Sequence, residues 1–92
     1  MPQFRVVLKK SAEKEISVLD AKLQERTLDV LSQLEEDPRP IGARKLNGPY
    51  DLWRVRVGNY RILYKIEDNI LKVYVVRIEH RRQVYRRLEA LM

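Results

Sequence analysis

Residues 53–64, Trp53-Arg-Val-Arg-Val-Gly-Asn-Tyr-Arg-Ile-Leu-Tyr64, carry the strongest structural signal in the chain. Two runs of alternating side chains flank Gly58-Asn59, and this pattern predicts a β-hairpin with a two-residue turn. Because successive side chains on a strand point to opposite faces, one face of the hairpin is apolar and the other is basic. The apolar face consists of Trp53, Val55, Val57, Tyr60, Ile62 and Tyr64.

The basic face of this hairpin carries Arg54, Arg56 and Arg61, and the predicted register places Arg56 directly opposite Arg61. Like charges in directly opposed positions weaken a sheet, so this pair indicates a face that binds an anion. Residues 1–37 contain six Lys or Arg and eight Asp or Glu, whereas residues 38–92 contain thirteen and five. A basic half built around a sheet favours a polyanionic partner, and charge that serves only solubility is the alternative.

Length and composition restrict the classes of protein. The chain has 92 residues, of which 45% are hydrophobic, and we expect one domain over residues 1–92. No apolar run approaches the roughly 20 residues that span a bilayer, so we expect a cytoplasmic protein without a membrane segment. The chain has no cysteine and one histidine. Thiolate catalysis and disulfides are therefore excluded, and we expect no metal or other cofactor.

Two helices are predicted between a short N-terminal strand, residues 4–8, and Pro38. Ser11 is the predicted N-cap of the first helix and Asp20 that of the second. The second helix ends before Pro38, since a residue that precedes proline is disfavoured in the α region. The two helices are expected to form an antiparallel hairpin or one bent helix.

A third strand is predicted over residues 71–78, after a turn at residues 67–69. A two-residue turn would place Ile66 opposite Leu71, and the apolar face would then cross three strands beneath the helices. The opposite face would gain Tyr74, Val76 and Ile78. With a short C-terminal amphipathic helix, these elements predict an α+β fold. In it the N-terminal strand and the two-helix hairpin pack on an antiparallel three-strand meander.

Three segments of the chain resemble the RelE/ParE superfamily of bacterial and archaeal toxins, and its RelE branch most closely. They are Lys45-Leu-Asn-Gly48, the hairpin, and Val76-Arg-Ile-Glu-His-Arg-Arg-Gln-Val-Tyr85. The resemblance implies a fold similar to that of microbial ribonucleases. It also implies the toxin of a type II toxin–antitoxin system, which cleaves mRNA in the ribosomal A site. A cognate RelB-like antitoxin would inhibit it, and operator DNA would be bound only through the antitoxin complex.

Metal-independent RNA cleavage needs a base for the 2′-hydroxyl, cations for the phosphorane and an acid for the 5′-oxygen. Arginine offers planar donors that pair with phosphate oxygens, and an aromatic ring can stack on a base. By the resemblance, Arg61 stabilises the transition state. Arg81 contacts the scissile phosphate or assists the leaving group, and Tyr85 orients a base or stacks on it.

The general base is the point at which the chain departs from the resemblance. Arg54 and Arg56 stand where the best-known RelE toxins have lysines, and an arginine cannot be tuned towards deprotonation as a lysine can. His80 is the alternative base, because the unperturbed pKa of histidine is about 6.5. A linker role without chemistry is equally open for it. Lys45 and Arg82 are expected, together with Arg54, to bind RNA.

Two other functions fit the same sequence. A ParE-like protein would block DNA gyrase without nuclease activity, and a third possibility is a non-catalytic nucleic-acid-binding domain. The fold is shared and does not discriminate between them. Arg81 and Tyr85, taken together with Arg61, favour the nuclease. The simpler structural roles are a solvated strand face for Arg54 and Arg56 and helix packing for Tyr85.

Overall fold

The computed structural model describes residues 3–80. The elements, in chain order, are β1 (Arg5–Leu8), α1 (Lys10–Ser17), α2 (Ala21–Glu36), β2 (Arg44–Lys45), β3 (Trp53–Val57), β4 (Tyr60–Glu67), a 3₁₀ turn (Asp68–Ile70) and β5 (Lys72–His80). The strands form one sheet in the order β1-β5-β4-β3-β2. The α+β class and the β3–β4–β5 meander are confirmed. The predicted C-terminal helix lies outside the described residues.

The sheet is larger than predicted by one strand at each edge. The N-terminal strand β1 pairs with β5 in parallel, and the two-residue β2 pairs with the start of β3. Parallel neighbours need a long crossover connection. In this chain α1, α2 and the intervening strands lie between β1 and β5.

The β3–β4 hairpin has the predicted register at all five pairs. They are Val57 with Tyr60, Arg56 with Arg61, Val55 with Ile62, Arg54 with Leu63, and Trp53 with Tyr64. Gly58 has φ 58°, the left-handed conformation that glycine adopts without steric cost. The turn chemistry therefore determines this register locally.

The predicted register of β4 with β5 was wrong. Ile66 pairs with Val73 instead of Leu71. The turn is longer than two residues, because it contains the 3₁₀ segment Asp68–Ile70 and then Leu71 at φ 50°. The extra residues shift all the pairs that follow.

A β-bulge in the middle of β5 moves side chains to the other face. Tyr64 pairs with Val75 but Leu63 pairs with Arg77, so Val76 is an extra residue on β5. The prediction that Val76 and Ile78 continue the basic face was therefore wrong. Ile78 is 3% exposed and belongs to the core.

The helix boundaries agree with the local signals except at the first N-cap. Lys9 occupies that position, and the Ser11 hydroxyl instead donates to the Val76 carbonyl at 3.0 Å. The Asp20 carboxylate caps α2 by accepting from the Leu23 N–H at 2.9 Å. Helix α2 ends at Glu36, before Pro38, as predicted.

The core lies between the two helices and the apolar face of the sheet. Its buried members are Ala12, Leu31, Leu34, Val55, Val57, Ile62, Tyr64, Val73, Val75 and Ile78. The apolar face predicted for the hairpin is thus the face that the helices cover. Among residues 3–80, neither helix has the length and the apolar character that crossing a membrane requires.

Candidate functional site

Two rows of side chains cross the sheet on the face opposite the core. The first row runs across β3, β4 and β5 and consists of Arg56, Arg61 and Glu79. The second row begins on β2 and consists of Arg44, Arg54, Leu63 and Arg77. We call these two rows the basic face. They contain five arginines and one glutamate, and so carry more positive charge than the three arginines that were predicted from the hairpin.

Exposure differs strongly along the first row. Arg56 is exposed, whereas Arg61 is only 3% exposed and Glu79 only 1%. A buried charge requires an opposite charge or hydrogen bonds in its surroundings. Arg61 lies opposite Arg56 on one side and opposite Glu79 on the other. The carboxylate therefore offsets the repulsion between the two arginines.

A chain of charged contacts joins Glu79 to helix α1. Arg77 Nη2 lies 2.9 Å from Glu79 Oε1 and 2.8 Å from Glu15 Oε2. Arg77 Nε also donates to Glu15 Oε2 at 3.0 Å. Glu15 Oε1 accepts from the Ile78 N–H at 2.8 Å. Helix α1 is thereby connected to the charged row.

His80 does not lie on the basic face. It pairs with Tyr60, whose side chain lies on the opposite side of β4 from Arg61. The rings of His80 and Tyr60 are in edge-to-face contact, with centroids 5.4 Å apart and an interplanar angle of 83°. The structure therefore brings Arg54, Arg56 and Arg61 together but places His80 on the other side, at the end of β5.

Lys45 also faces away from the basic face. It pairs with Trp53 in the register, while its neighbour Arg44 pairs with Arg54. The Lys45 ammonium lies 2.9 Å from the Asp51 carboxylate, and the hydrogen bond lowers the pKa of Asp51. Of the two adjacent basic residues, Arg44 rather than Lys45 belongs to the arginine rows.

Sequence reasoning missed Arg44, Arg77 and Glu79. The alternation of β3, continued across the short strand β2, could have indicated Arg44. Arg77 and Glu79 depend on the bulge at Val76, which carries no glycine or proline signal in the sequence. Arg81, Arg82 and Tyr85, the other predicted site residues, lie outside the described residues.

The basic face is suited to binding phosphate. A guanidinium group donates two parallel hydrogen bonds to a pair of phosphate oxygens and remains protonated at all ordinary pH values. Arg44 and Arg56 are exposed, and Arg54 is half-buried. These three side chains can contact a phosphate backbone, while the buried Arg61 adds a positive charge within the sheet face.

The chain matches known toxins in sequence and in structure. The family described as "ParE toxin of type II toxin-antitoxin system, parDE" matches residues 6–85. Toxin RelG of Mycobacterium tuberculosis is 37% identical over 57 residues, which are 59% of this chain. The match spans 62% of the length of RelG.

Solved toxin structures share the fold. The archaeal RelE–RelB complex from Pyrococcus horikoshii OT3 contains a chain that is 27% identical, with a TM-score of 0.78; the match covers 86% of this chain and 96% of that one. For the intact Escherichia coli RelBE toxin–antitoxin complex, the TM-score is 0.72, the identity 25%, and the coverage 84% and 95%. The family match extends over most of the sequence, and the described fold agrees with it. The chain therefore belongs to the RelE/ParE superfamily of toxins of type II toxin–antitoxin systems.

Proposed function

We propose that this toxin is a metal-independent endoribonuclease that cleaves mRNA in the ribosomal A site and thereby inhibits translation. The observation that carries the proposal is the basic face, where Arg56 lies directly opposite Arg61 and beside the Arg44–Arg54 pair. Repulsion among these side chains is relieved when a polyanion binds. A phosphodiester beside the first row places its charge next to the guanidinium groups of the directly paired Arg56 and Arg61.

In the proposed reaction the 2′-hydroxyl attacks the adjacent phosphorus as it loses its proton to a base. The bond to the 5′-oxygen breaks, and that oxygen takes up a proton. The products are a 2′,3′-cyclic phosphate and a 5′-hydroxyl. Arg56 and Arg61 stabilise the extra negative charge of the phosphorane. Arg81 contacts the phosphate or the leaving group, and Tyr85 stacks on a base.

The proposed base is His80, and its position restricts how the substrate binds. Its ring lies beside Tyr60 at the end of β5, on the opposite side from Arg61. The RNA must therefore pass around the end of β5 for the 2′-hydroxyl to reach the imidazole. Neighbouring phosphates are bound by Arg54 and Arg82. Lys45 joins them after its ion pair with Asp51 has opened.

We further propose a RelB-like antitoxin as the partner that inhibits the toxin. Its support is the similarity to chains solved in RelE–RelB and RelBE complexes. An antitoxin with acidic side chains would neutralise the basic face. Binding of operator DNA would belong to this complex, and a ribosomal target implies a cytoplasmic location.

A second function, inhibition of DNA gyrase without RNA cleavage, is favoured by one observation. The family that matches residues 6–85 is described as a ParE toxin. The two functions differ in their target, and the shared fold does not distinguish them.

The test is to induce the wild type and three variants, Arg61→Ala, Arg81→Ala and Tyr85→Ala, and to map mRNA 5′ ends by primer extension with translation running or blocked. We expect cuts that require translation in the wild type and that are lost in the Arg61 and Arg81 variants. Growth arrest without such cuts would contradict the nuclease, and arrest with altered DNA supercoiling would favour the gyrase inhibitor.

A matched control is Lys65→Ala. Lys65 is an exposed cation on β4, on the same side of the strand as Arg61 but towards the other end. It is outside the two arginine rows, so this variant should cleave like the wild type. An equal loss in the control would mean that only the overall charge matters.

A further inference from the structure

We infer that Glu79 is a positioning residue for Arg61 and that helix α1 holds Glu79 in place through Arg77 and Glu15. The inference rests on the proposed function, in which Arg61 stabilises the charge of the transition state. It adds three residues to that site, and none of them was singled out by sequence reasoning.

The register between β4 and β5 sets the neighbour of Arg61. Arg61 and Glu79 are directly opposite each other, and both are almost fully buried, with exposed fractions of 3% and 1%. Opposite residues of an antiparallel pair have Cβ atoms about 4.5–5.5 Å apart, so their side-chain charges are close enough to interact. The negative charge at Glu79 therefore limits where the Arg61 guanidinium can lie.

A contact with Arg77 fixes Glu79. Arg77 lies two residues earlier on the same face of β5, and its Nη2 is 2.9 Å from Glu79 Oε1. One oxygen of the carboxylate is therefore engaged by Arg77. This contact orients the carboxylate within the row, so that Glu79 provides a fixed negative charge in the proposed reaction.

Helix α1 is connected to β5 next to these residues. The parallel pairing of β1 with β5 ends at the Leu8–Val75 pair. Beyond it, α1 takes over this edge: the Ser11 hydroxyl donates to the Val76 carbonyl, and Glu15 accepts from the Ile78 N–H at 2.8 Å. The same Glu15 carboxylate binds Arg77 through Nε at 3.0 Å and Nη2 at 2.8 Å.

Contacts join Glu15, Arg77 and Glu79 in one series from α1 to the first row, and Arg61 lies directly opposite Glu79 in the register. A buried ion pair adds little net stability compared with apolar residues of similar size. The main effect of Glu79 here is to hold the Arg61 guanidinium group at a defined place among the other arginines. A preorganised charge of this kind acts in the transition state without having to move.

The test uses Glu79→Gln, which keeps the size of the side chain and removes its charge. Cleavage by the free toxin is measured on programmed ribosomes under single-turnover conditions. We expect the maximal rate to fall about 10-fold or more while the half-saturating toxin concentration stays unchanged. Glu15→Gln leaves Glu79 itself intact and should reduce the maximal rate less.

The matched control is Asp68→Asn, which removes the partner of an arginine at the other end of the sheet. It should leave the maximal rate unchanged. Thermal melting of each variant shows whether it is folded. If Glu79→Gln does not fold, the same comparison is made with Glu15→Gln.

A second readout does not depend on activity. The Arg61 Nε–H resonance, assigned with an Arg61→Lys variant, should exchange slowly in the wild type and faster, with a changed shift, in Glu79→Gln. Unchanged exchange together with an unchanged rate would overturn the inference. A wild type that cleaves no ribosome-bound mRNA would refute the proposed function, while the resonance would still test the positioning of Arg61.

Discussion

The two ends of the β3–β4–β5 sheet use charged residues in different ways. At the end near the hairpin turn, Arg61 and Glu79 are buried side by side in the first row. At the other end, Arg39 forms two hydrogen bonds with Asp68, at 3.1 and 2.8 Å, and both side chains remain about half exposed. We call the second arrangement, together with the contacts of Trp53 and Tyr64 below, the loop clamp.

The loop clamp joins the segment after α2 to the turn before β5. The Arg39 guanidinium lies 5.2 Å from the ring centre of Trp53, and the buried Tyr64 hydroxyl donates to the Pro38 carbonyl at 2.7 Å. Exposed ion pairs contribute little to stability, so most of the stabilisation here comes from the buried hydrogen bond and the aromatic packing. Charge is therefore buried at the end with the proposed chemistry, whereas at the other end the charged side chains stay about half exposed and an uncharged hydrogen bond and aromatic packing supply most of the stability.

Arg56→Ala at the basic face should reduce activity most. Loss of one positioned donor to a transition state typically reduces the rate about 100-fold, and we expect that loss in cleavage of mRNA on programmed ribosomes. Trp53→Phe at the loop clamp should leave the cleavage rate of the folded protein unchanged. A comparable loss of rate in both variants would remove the distinction between the two ends.

The next effect is on stability and concerns the loop clamp. Tyr64→Phe leaves the buried Pro38 carbonyl without its donor, which should lower the free energy of unfolding by about 1–2 kcal/mol. Urea denaturation of the two proteins at neutral pH measures this difference. Cleavage by the folded variant should match the wild type, and reduced cleavage with unchanged stability would contradict the prediction.

A smaller effect should appear at alkaline pH. Burial raises the pKa of Tyr64 to about 12, above its ordinary value of 10.0. The folded state therefore keeps a proton that the unfolded state loses, and this stabilisation is complete below pH 10 and is lost as the pH rises towards 12. The stability difference between the wild type and Tyr64→Phe should shrink over this range, as denaturation at successive pH values would show. A constant difference would argue against the burial effect.

The smallest effect should come from Asp68→Asn. Its hydrogen bond with Arg39 lowers the pKa of Asp68, so the pair stabilises the fold above the ordinary carboxyl pKa of about 4 and loses this effect as the pH falls further. Wild type and variant should therefore differ slightly at pH 7 and converge in acid. Melting temperatures at pH 7 and at low pH test this, and a difference that grows in acid would contradict it.

Much of the local structure could be predicted from the sequence. The Gly58-Asn59 turn predicts all five pairs of the hairpin, since a two-residue loop leaves one register. Asp20 and Pro38 mark the ends of α2 through effects that reach only a few residues. The pairing of Arg56 with Arg61, which first indicated an anion-binding face, follows from the same local rule.

Other features depended on contacts between distant parts of the chain. The register of β5 follows from Leu71 in a left-handed conformation and from the bulge at Val76. One extra residue moves every later side chain to the other face, so Ile78 enters the core while Arg77 and Glu79 join the basic face. No periodicity in the sequence marks such a shift.

The hairpin, the ends of α2 and the basic character of one face therefore follow from the amino-acid sequence, because these features depend on neighbours along the chain. Which charges share that face depends on the packing of distant parts of the chain. It brought Arg44 rather than Lys45 into the second row, and it placed His80 beside Tyr60 on the other side. Packing also brings in the partner of Arg77, because α1 replaces β1 along the edge of β5 and Glu15 can bind Arg77 only after that packing has formed.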